Sequence, residues 1–580
     1  MCLSGIALGY IAGRSGVRPL AEIISMFDVI DYLIFCGVQF LTLCFGFLKN
    51  PNGTHPGNAG VCPVALSLVA SQISGFTILG QSSDVYVYGA NSAWMSLSIF
   101  LASLIGYFAF LPVLTELKSP NVLEYFELRF SRRIKTMATY VTILQGFVYS
   151  AILAYIPSIA VSQATGINPR IITMVLCTIC VCCTVIGNFK AGICMDALQT
   201  LGITLVLVTV VFIGVTSLEG IHVVLEKAIH GNRFDFNFSF DLTQRDGFWQ
   251  MMLGSTTLWL FTVSFQPGSV RKYTTLSTHA DMKKVLFLQC CGVAVITLLS
   301  VFNGIIMYAK YENCDPISAG EIAGMDEMLP FFVMDVSKDV RGLSSVFAAI
   351  IFSAALSTLI SMFNTQAVTI YGEIVAALLP TRFLKKGFIV KLLVIFSGLM
   401  CLVLTLYLEH MGGLFAFCYA SMGLAFGLYV GLYTLGIVFP SANSKGALFG
   451  ALSAIFVIGP IVVLNRSYGR RGMDQSFAQP VSVDGCAVFH NMSYSRTTPE
   501  QPFVLFRLSF WYNSVMSSLM VIAVGLLISW FTSPDPVIIP SSMFSPILRF
   551  TRTKTSKVQN SVQDYVPVHG DENTYKNGIK

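Results

Sequence analysis

Ala70-Ser-Gln-Ile-Ser-Gly-Phe-Thr-Ile-Leu-Gly80 is the stretch on which the reading of this chain turns. It lies inside an apolar run, 63–84, and about 20 apolar residues are enough to cross a bilayer. Yet Ser71, Gln72, Ser74, Gly75 and Thr77 crowd its middle. Backbone unwinds at bilayer depth only where the freed carbonyls find partners. A sodium ion, which takes oxygen ligands, is one such partner. Close helix packing through small residues is the plain alternative.

The rest of the chain carries the same membrane signature. Of 580 residues, 54% are hydrophobic and 11% charged, against about 25% charged in a soluble domain. That composition excludes an ordinary soluble enzyme, a disordered protein and a nucleic-acid binder. The net charge of +6 is scattered over short loops and marks no polyanion partner. Runs of spanning length fall at 32–49, 63–84, 92–115, 137–161, 169–188, 196–218, 248–268, 285–309, 343–378, 388–409, 413–438, 446–464 and 507–531. They predict an all-α polytopic membrane protein with about thirteen transmembrane helices. P-loop, HExxH and GxSxG motifs are absent, and the seven histidines are scattered, so no enzyme is expected. Cys177, Cys180, Cys182 and Cys183 sit among Val, Ile and Leu and read as helix-packing residues.

Basic residues set the orientation. Lys118, Arg129, Arg132, Arg133 and Lys135, then Arg271, Lys272, Lys283 and Lys284, then Arg382, Lys385 and Lys386, share one side if thirteen helices cross. That side is the cytoplasm. Residues 1–31 are then extracellular, 32–531 form the membrane domain, and the polar tail 532–580 is cytoplasmic and disordered by composition. The lipid bilayer is the one partner this implies besides the ligands; no obligatory protein partner follows. The longer loops 219–247, 310–342 and 465–506 fall outside. They carry glycosylation sequons at Asn237, Asn465 and Asn491, whereas the sequon at Asn52 falls inside. Asn465 lies so close to a helix end that access to it is restricted. Cys314 and Cys486, both in outer loops, are expected to pair in that oxidising compartment, with Cys2 as the other possible partner.

Polar residues inside the spans are where function is sought. Asp196 opens the sixth span near the cytoplasmic surface, either as a carboxylate facing a helix dipole or as part of a cation path. In the ninth span, Ala354, Ser357 and Ser361 share a helical face, with Thr358 beside them. That face offers oxygens to a cation, or its hydroxyls bond back to the preceding turn.

These pieces, in order, resemble the sodium/solute symporter family over roughly residues 25–535. The matches are the second span ending Gly80-Gln-Ser-Ser-Asp-Val-Tyr-Val-Tyr-Gly-Ala90, the inner loop Asn121-Val-Leu-Glu-Tyr-Phe-Glu-Leu-Arg-Phe130, and Asp196-Ala-Leu-Gln-Thr200. Ser353-Ala-Ala-Leu-Ser-Thr-Leu-Ile-Ser361 and Phe439-Pro-Ser-Ala-Asn-Ser-Lys-Gly-Ala447 complete them. The span count and the last run are most similar to the animal branch carrying monocarboxylates, vitamins such as biotin and pantothenate, and iodide.

The resemblance implies a leucine-transporter-like fold: two inverted five-helix repeats, about 63–218 and 248–438, each opening with a helix broken at the midplane. It implies a plasma-membrane symporter that co-transports sodium with a small-molecule substrate by alternating access. Sodium would be held by backbone oxygens of Ala70, Ile73 and Ala354 and the hydroxyls of Ser357 and Thr358, with Asp196 on its path inward. Gln72, Thr77, Tyr149, Trp259 and Tyr419 are the implied substrate residues, each of which also reads as bundle packing. Two stretches differ from relatives. The usual Asn-Gln-x-x-Val-Gln-Arg-Tyr is Gln266-Pro-Gly-Ser-Val-Arg-Lys-Tyr273, with Pro267 and Gly268 as added breakers. The double glycine before Asp196 is replaced by Lys190-Ala-Gly-Ile-Cys-Met195.

Overall fold

The computed structural model describes residues 27–47, 60–117, 122–186, 193–276, 278–338, 340–376, 386–408, 413–469, 477–486, 503–532 and 539–546. Among them are helices and no strand. In chain order the principal helices are α1 (Val29–Phe47), α2 (Val61–Gln72), α3 (Gly75–Tyr88), α4 (Ala90–Glu116), α5 (Glu124–Arg129), α6 (Arg132–Thr165), α7 (Pro169–Ile186), α8 (Ile193–Thr216) and α9 (Ile221–His230). They continue as α10 (Phe248–Ser264), α11 (Pro267–Tyr273), α12 (His279–Lys310), α13 (Met328–Val336), α14 (Leu343–Val375), α15 (Lys386–Leu408), α16 (Leu414–Val438), α17 (Ser444–Tyr468) and α18 (Tyr512–Phe531).

Eleven of these helices are each long and apolar enough to cross a membrane, and the pair α2–α3, bent by 61°, makes a twelfth crossing. The predicted thirteen is reached only by adding α10 and α11. Helix α10 has 17 residues, the short end of the spanning range. The expected single run 248–268 is in fact interrupted at Phe265 and Gln266. Gln266 is extended (φ −66°, ψ 123°), and Pro267, with no N–H to donate, opens α11. Both helices expected to break therefore do.

Packing follows from a bilayer surrounding. Leu201, Leu205 and Phe212 on α8 and Leu392, Phe396, Leu399 and Val403 on α15 face outward, where lipid covers them. Inside, α16 and α18 cross at glycine: a Cβ at Gly427 would stand 2.2 Å from the Ser514 carbonyl oxygen. The family-like run 439–447 is the joint between α16 and α17. The Asn443 side chain accepts from the Gly446 N–H at 2.8 Å and starts α17. Arg129, on helix α5, covers the end of α16 and the turn that follows it. Its guanidinium donates to Gly436 O at 3.0 Å and to Phe439 O and Ala442 O at 3.1 Å each.

The tail differs from its composition-based reading. Within the stretch read as disordered from 532 onward, residues 539–546 are described and packed: Met543, Phe544 and Ser545 are buried. An apolar pair, Met543-Phe544, inside a polar tail was the missed signal.

Candidate functional site

The break in the second span lies where the sequence puts it. Ile73 (φ −99°, ψ 123°) and Ser74 (φ −124°, ψ 168°) leave the helical region, and α3 restarts at Gly75. Among the described residues no backbone N–H donates to the carbonyls of Ala70 or Ile73. Gly75 is required here by close approach: a Cβ would lie 2.8 Å from Ile351 Cγ2. The break is thereby seated against α14 one turn before Ala354.

On α14 the expected oxygens do gather. Ser357 Oγ and Thr358 Oγ1 both donate to the Ala354 carbonyl, at 3.1 and 2.8 Å. This is the back-bonding geometry, and it leaves three oxygens in one cluster. A fourth comes from a residue the sequence reading did not single out. Gln199 Oε1 accepts from Ser357 Oγ at 3.1 Å, while its Nε2 donates to Ser353 O at 3.4 Å. Gln199 lies three residues after Asp196, on the same face of α8; that spacing was the available signal. Ser361 brings no oxygen to this cluster among the recorded bonds.

Below the cluster Asp196 joins three helices. Its Oδ2 accepts from Ser67 Oγ of α2 at 2.7 Å and from Lys272 Nζ of α11 at 3.0 Å. Lys272 Nζ also donates to Ser67 O at 2.9 Å and Ser71 Oγ at 2.5 Å. The two half-helices nearest this end, α2 and α11, are thus clamped together on α8. The Asp196–Lys272 pair is half-buried, its side chains 18% and 19% exposed. The clamp uses Lys272, inside the stretch that departs from the family pattern.

Above the break is an aromatic cluster centred on Phe76. Its ring lies 6.4 Å from Tyr149, 5.6 Å from Tyr419 and 6.1 Å from Phe415. Tyr419 continues to Trp511 at 4.9 Å. Thr77, Trp259 and Tyr419 are buried. Trp259 makes no ring contact with this cluster among the described residues, and its indole N–H has no partner. Both amide atoms of Gln72 are likewise buried without a partner among the described residues. Phe76, Phe415 and Trp511 were not anticipated; nothing in an apolar run distinguishes a lining ring from a packing ring.

The end of the bundle opposite Asp196 is held by ions. Arg245, just before α10, forms a two-pronged pair with Asp84 of α3, Nη2–Oδ1 2.5 Å and Nη1–Oδ2 3.3 Å, and also pairs with Asp246. Its guanidinium lies 3.5 Å from the Tyr88 ring centre. Burial works against the charge, but the Asp246 and Asp84 carboxylates outweigh it and hold the Arg245 pKa well above its ordinary value. Trp511 Nε1 donates to Asp246 Oδ1 at 2.8 Å, tying this ionic group to Tyr419.

The remaining sequence expectations divide as follows. Cys314 and Cys486 are bonded, with Cα atoms 5.0 Å apart; Cys2 lies outside the described residues. Tyr86 Oη donates to Asp315 Oδ1 at 2.6 Å, so the loop carrying this disulfide also holds the end of α3. Asn237 is in a loop and half-buried, and Asn491 lies outside the described residues. Asn465 sits within α17, and its Nδ2 donates to Phe506 O and Leu508 O at 3.0 and 2.7 Å. Glycosylation replaces one Nδ2 hydrogen and would cost at least one of these bonds.

The sequence profile of the Sodium:solute symporter family matches residues 55–454. The chain belongs to that family. This symporter is 30% identical over 534 residues to the human sodium-coupled monocarboxylate transporter 2, covering 88% of this chain and 85% of the relative. It is 31% identical over 485 residues to the Bos taurus protein of the same name, covering 81% and 77%. Its structure superposes on that of a Na+-coupled sialic acid symporter with a TM-score of 0.66 at 20% identity, over 87% of this chain and 99% of the other. The symporter therefore has the leucine-transporter-like fold, and it is a sodium-coupled solute transporter rather than an enzyme.

The Asp196 clamp yields a first prediction. Asp196→Asn should lower the maximal uptake rate about tenfold with half-saturating substrate nearly unchanged, the pattern of a lost interaction specific to one step. A helix-cap role predicts loss of surface protein instead. Surface labelling alongside initial rates decides, and normal values of both would reject the two roles together.

Proposed function

We propose that this symporter carries a small organic anion, a monocarboxylate or a carboxylate vitamin such as biotin or pantothenate, into the cell together with sodium. It works at the plasma membrane, with the N-terminus outside and the C-terminus cytoplasmic. The bonded Cys314–Cys486 pair at one end and Lys272 at the other support that orientation.

Sodium is assigned to the cluster of Ala354 O, Ser357 Oγ and Thr358 Oγ1, completed by the unbonded carbonyls of Ala70 and Ile73. Sodium there ties α14 to the broken helix and organises the pocket. Gln72, Thr77, Tyr149, Trp259 and Tyr419 are the assigned substrate residues, with Phe76 added at their centre. Substrate binding closes the rings Phe415, Tyr419 and Trp511 over the pocket, and parting of Lys272 from Asp196 opens the way inward. Transmembrane voltage supplies about 2.3 kcal/mol per charge per 100 mV.

The observation that carries the anion is electrostatic. The cations tucked against the two broken helices, Arg245 and Lys272, are taken, the first by Asp84 and Asp246 and the second by Asp196, while Arg271 on α11 is exposed. Sodium itself is then the positive partner for a carboxylate. A permanent organic cation would face sodium at a cost of about 4 kcal/mol at 4 Å and an effective dielectric near 20. Uptake of labelled lactate, nicotinate, biotin, pantothenate, iodide and choline tests this in cells, with sodium present or replaced by N-methylglucamine. One or more carboxylates should enter only with sodium. Preferred uptake of choline would overturn the electrostatic argument. Carboxylate uptake indifferent to sodium would point to an uncoupled facilitator. Binding without uptake would point to a sensor on the same scaffold.

A further inference from the structure

Residues 539–546, beyond the last membrane helix, return to the end of the bundle where Arg129 caps α16. The Ser545 N–H donates to Ile437 O at 3.1 Å, and Tyr125 Oη of α5 donates to Met543 O at 3.3 Å. The Phe544 ring lies 5.3 Å from the Arg129 guanidinium. Met543, Phe544 and Ser545 are 9%, 5% and 2% exposed. The turn Ser541–Met543 packs on Leu111–Glu116, the end of α4, and that same end of α4 packs on α11.

A second line of contact runs to the same place. Tyr125 and Phe126 of α5 pack on Tyr433 of α16, rings 5.6 and 4.4 Å apart. Tyr433 Oη donates to Val122 O at 3.0 Å, and its ring stacks on Phe265 at 4.2 Å with an interplanar angle of 2°. Phe265 is the first residue of the break between α10 and α11. Met543 and Phe544 therefore reach the hinge of the helix that carries Lys272 by two routes, through α4 and through α5 and α16.

We propose that residues 539–546 are a cytoplasmic strap that holds α11 against α2 and α8, and that undocking of the strap is part of inward opening. The cleft it fills, formed by α5, the end of α4 and the end of α16, is a binding site for this chain's own segment. The strap bonds through backbone atoms at Met543 and Ser545 and through buried apolar side chains. A charge placed at Ser545 would have to be desolvated there, so it drives the strap out.

The inference rests on the alternating-access reading, but its test needs no transported substrate. A cysteine replaces Ser269 on α11, a fully buried position, in otherwise full-length chain. Inside-out membrane vesicles are treated with a maleimide, and labelling is read at that one peptide by mass spectrometry. With the strap docked, labelling should be slow. Ser545→Asp and Phe544→Ala should each speed it about tenfold, a one-decade shift in the closed-to-open ratio. A chain ending at residue 538 should behave the same way, and a synthetic peptide spanning 537–548 should restore slow labelling to it. Unchanged rates in the point variants would overturn the proposal. So would fast labelling of the shortened chain that the peptide leaves unreversed, since that marks general loosening of the fold. A transporter that fails the substrate panel but passes this assay separates the two readings.

Discussion

Replacing Ser357 and Thr358 together with alanine should raise half-saturating sodium at least about a hundredfold while leaving surface expression near normal. A hydroxyl bonded to a charged partner contributes about 1.5–3 kcal/mol, and two such losses correspond to a hundredfold or more at about 1.4 kcal/mol per decade. The folded state should tolerate the change. Among the described residues each hydroxyl bonds only within its own helix or to Gln199, so alanine leaves little unpaired. Gln199→Ala, which removes a neighbour of Ser357 Oγ, should shift sodium activation in the same direction by a smaller factor. The measurement is a sodium titration of initial uptake. An unchanged curve in the double variant would remove sodium from this cluster and leave back-bonding as the whole role of the two hydroxyls.

Arg245→Ala should be the most damaging single substitution at the end of the bundle opposite Asp196. It leaves Asp84 and Asp246, 2% and 8% exposed, as buried carboxylates without their cation. Breaking a buried pair by removing one partner costs about 3–5 kcal/mol, a large share of the 5–15 kcal/mol that holds a typical domain. Little mature protein should reach the surface, and detergent extracts should unfold at markedly lower temperature. Combining Arg245→Gln with Asp84→Asn and Asp246→Asn removes all three charges and should recover more than half of the loss. Wild-type stability in Arg245→Ala would show that the three side chains are solvated and loosely paired. Failure of the triple variant to recover would assign the cost to lost packing over Tyr88 rather than to charge.

Much of this protein was legible because a bilayer is a severe solvent. A spanning helix must be apolar for its whole length, so spans emerge from composition. A break at midplane must show as polar and small residues in an apolar run, and Ser71-Gln72-Ile73-Ser74-Gly75 does. The break before α11 was half legible. Pro267 and Gly268 were seen as breakers, yet 248–268 was still counted as one run, because apolar length hides a two-residue interruption. The tail was misjudged for the opposite reason: disorder is an average over many residues, and three buried side chains do not move that average.

The sequence by itself determined an all-α membrane fold, the break at Ile73 and Ser74 and the face of α14 that gathers oxygens, since each follows from periodicity and local polarity within one helix; the inverted repeats were implied only by the family resemblance. Tertiary structure alone decided the partners. That Lys272 closes on Asp196, that Arg245 is held by Asp84, that Gln199 joins the oxygen cluster and that Phe76 meets Tyr419 in the aromatic cluster are contacts between residues 76 to 343 positions apart in the chain. A cation in a sequence carries no mark of which carboxylate will desolvate it. That choice is made when helices pack, because in a low-dielectric interior the paired arrangement is the only one in which both charges stay buried.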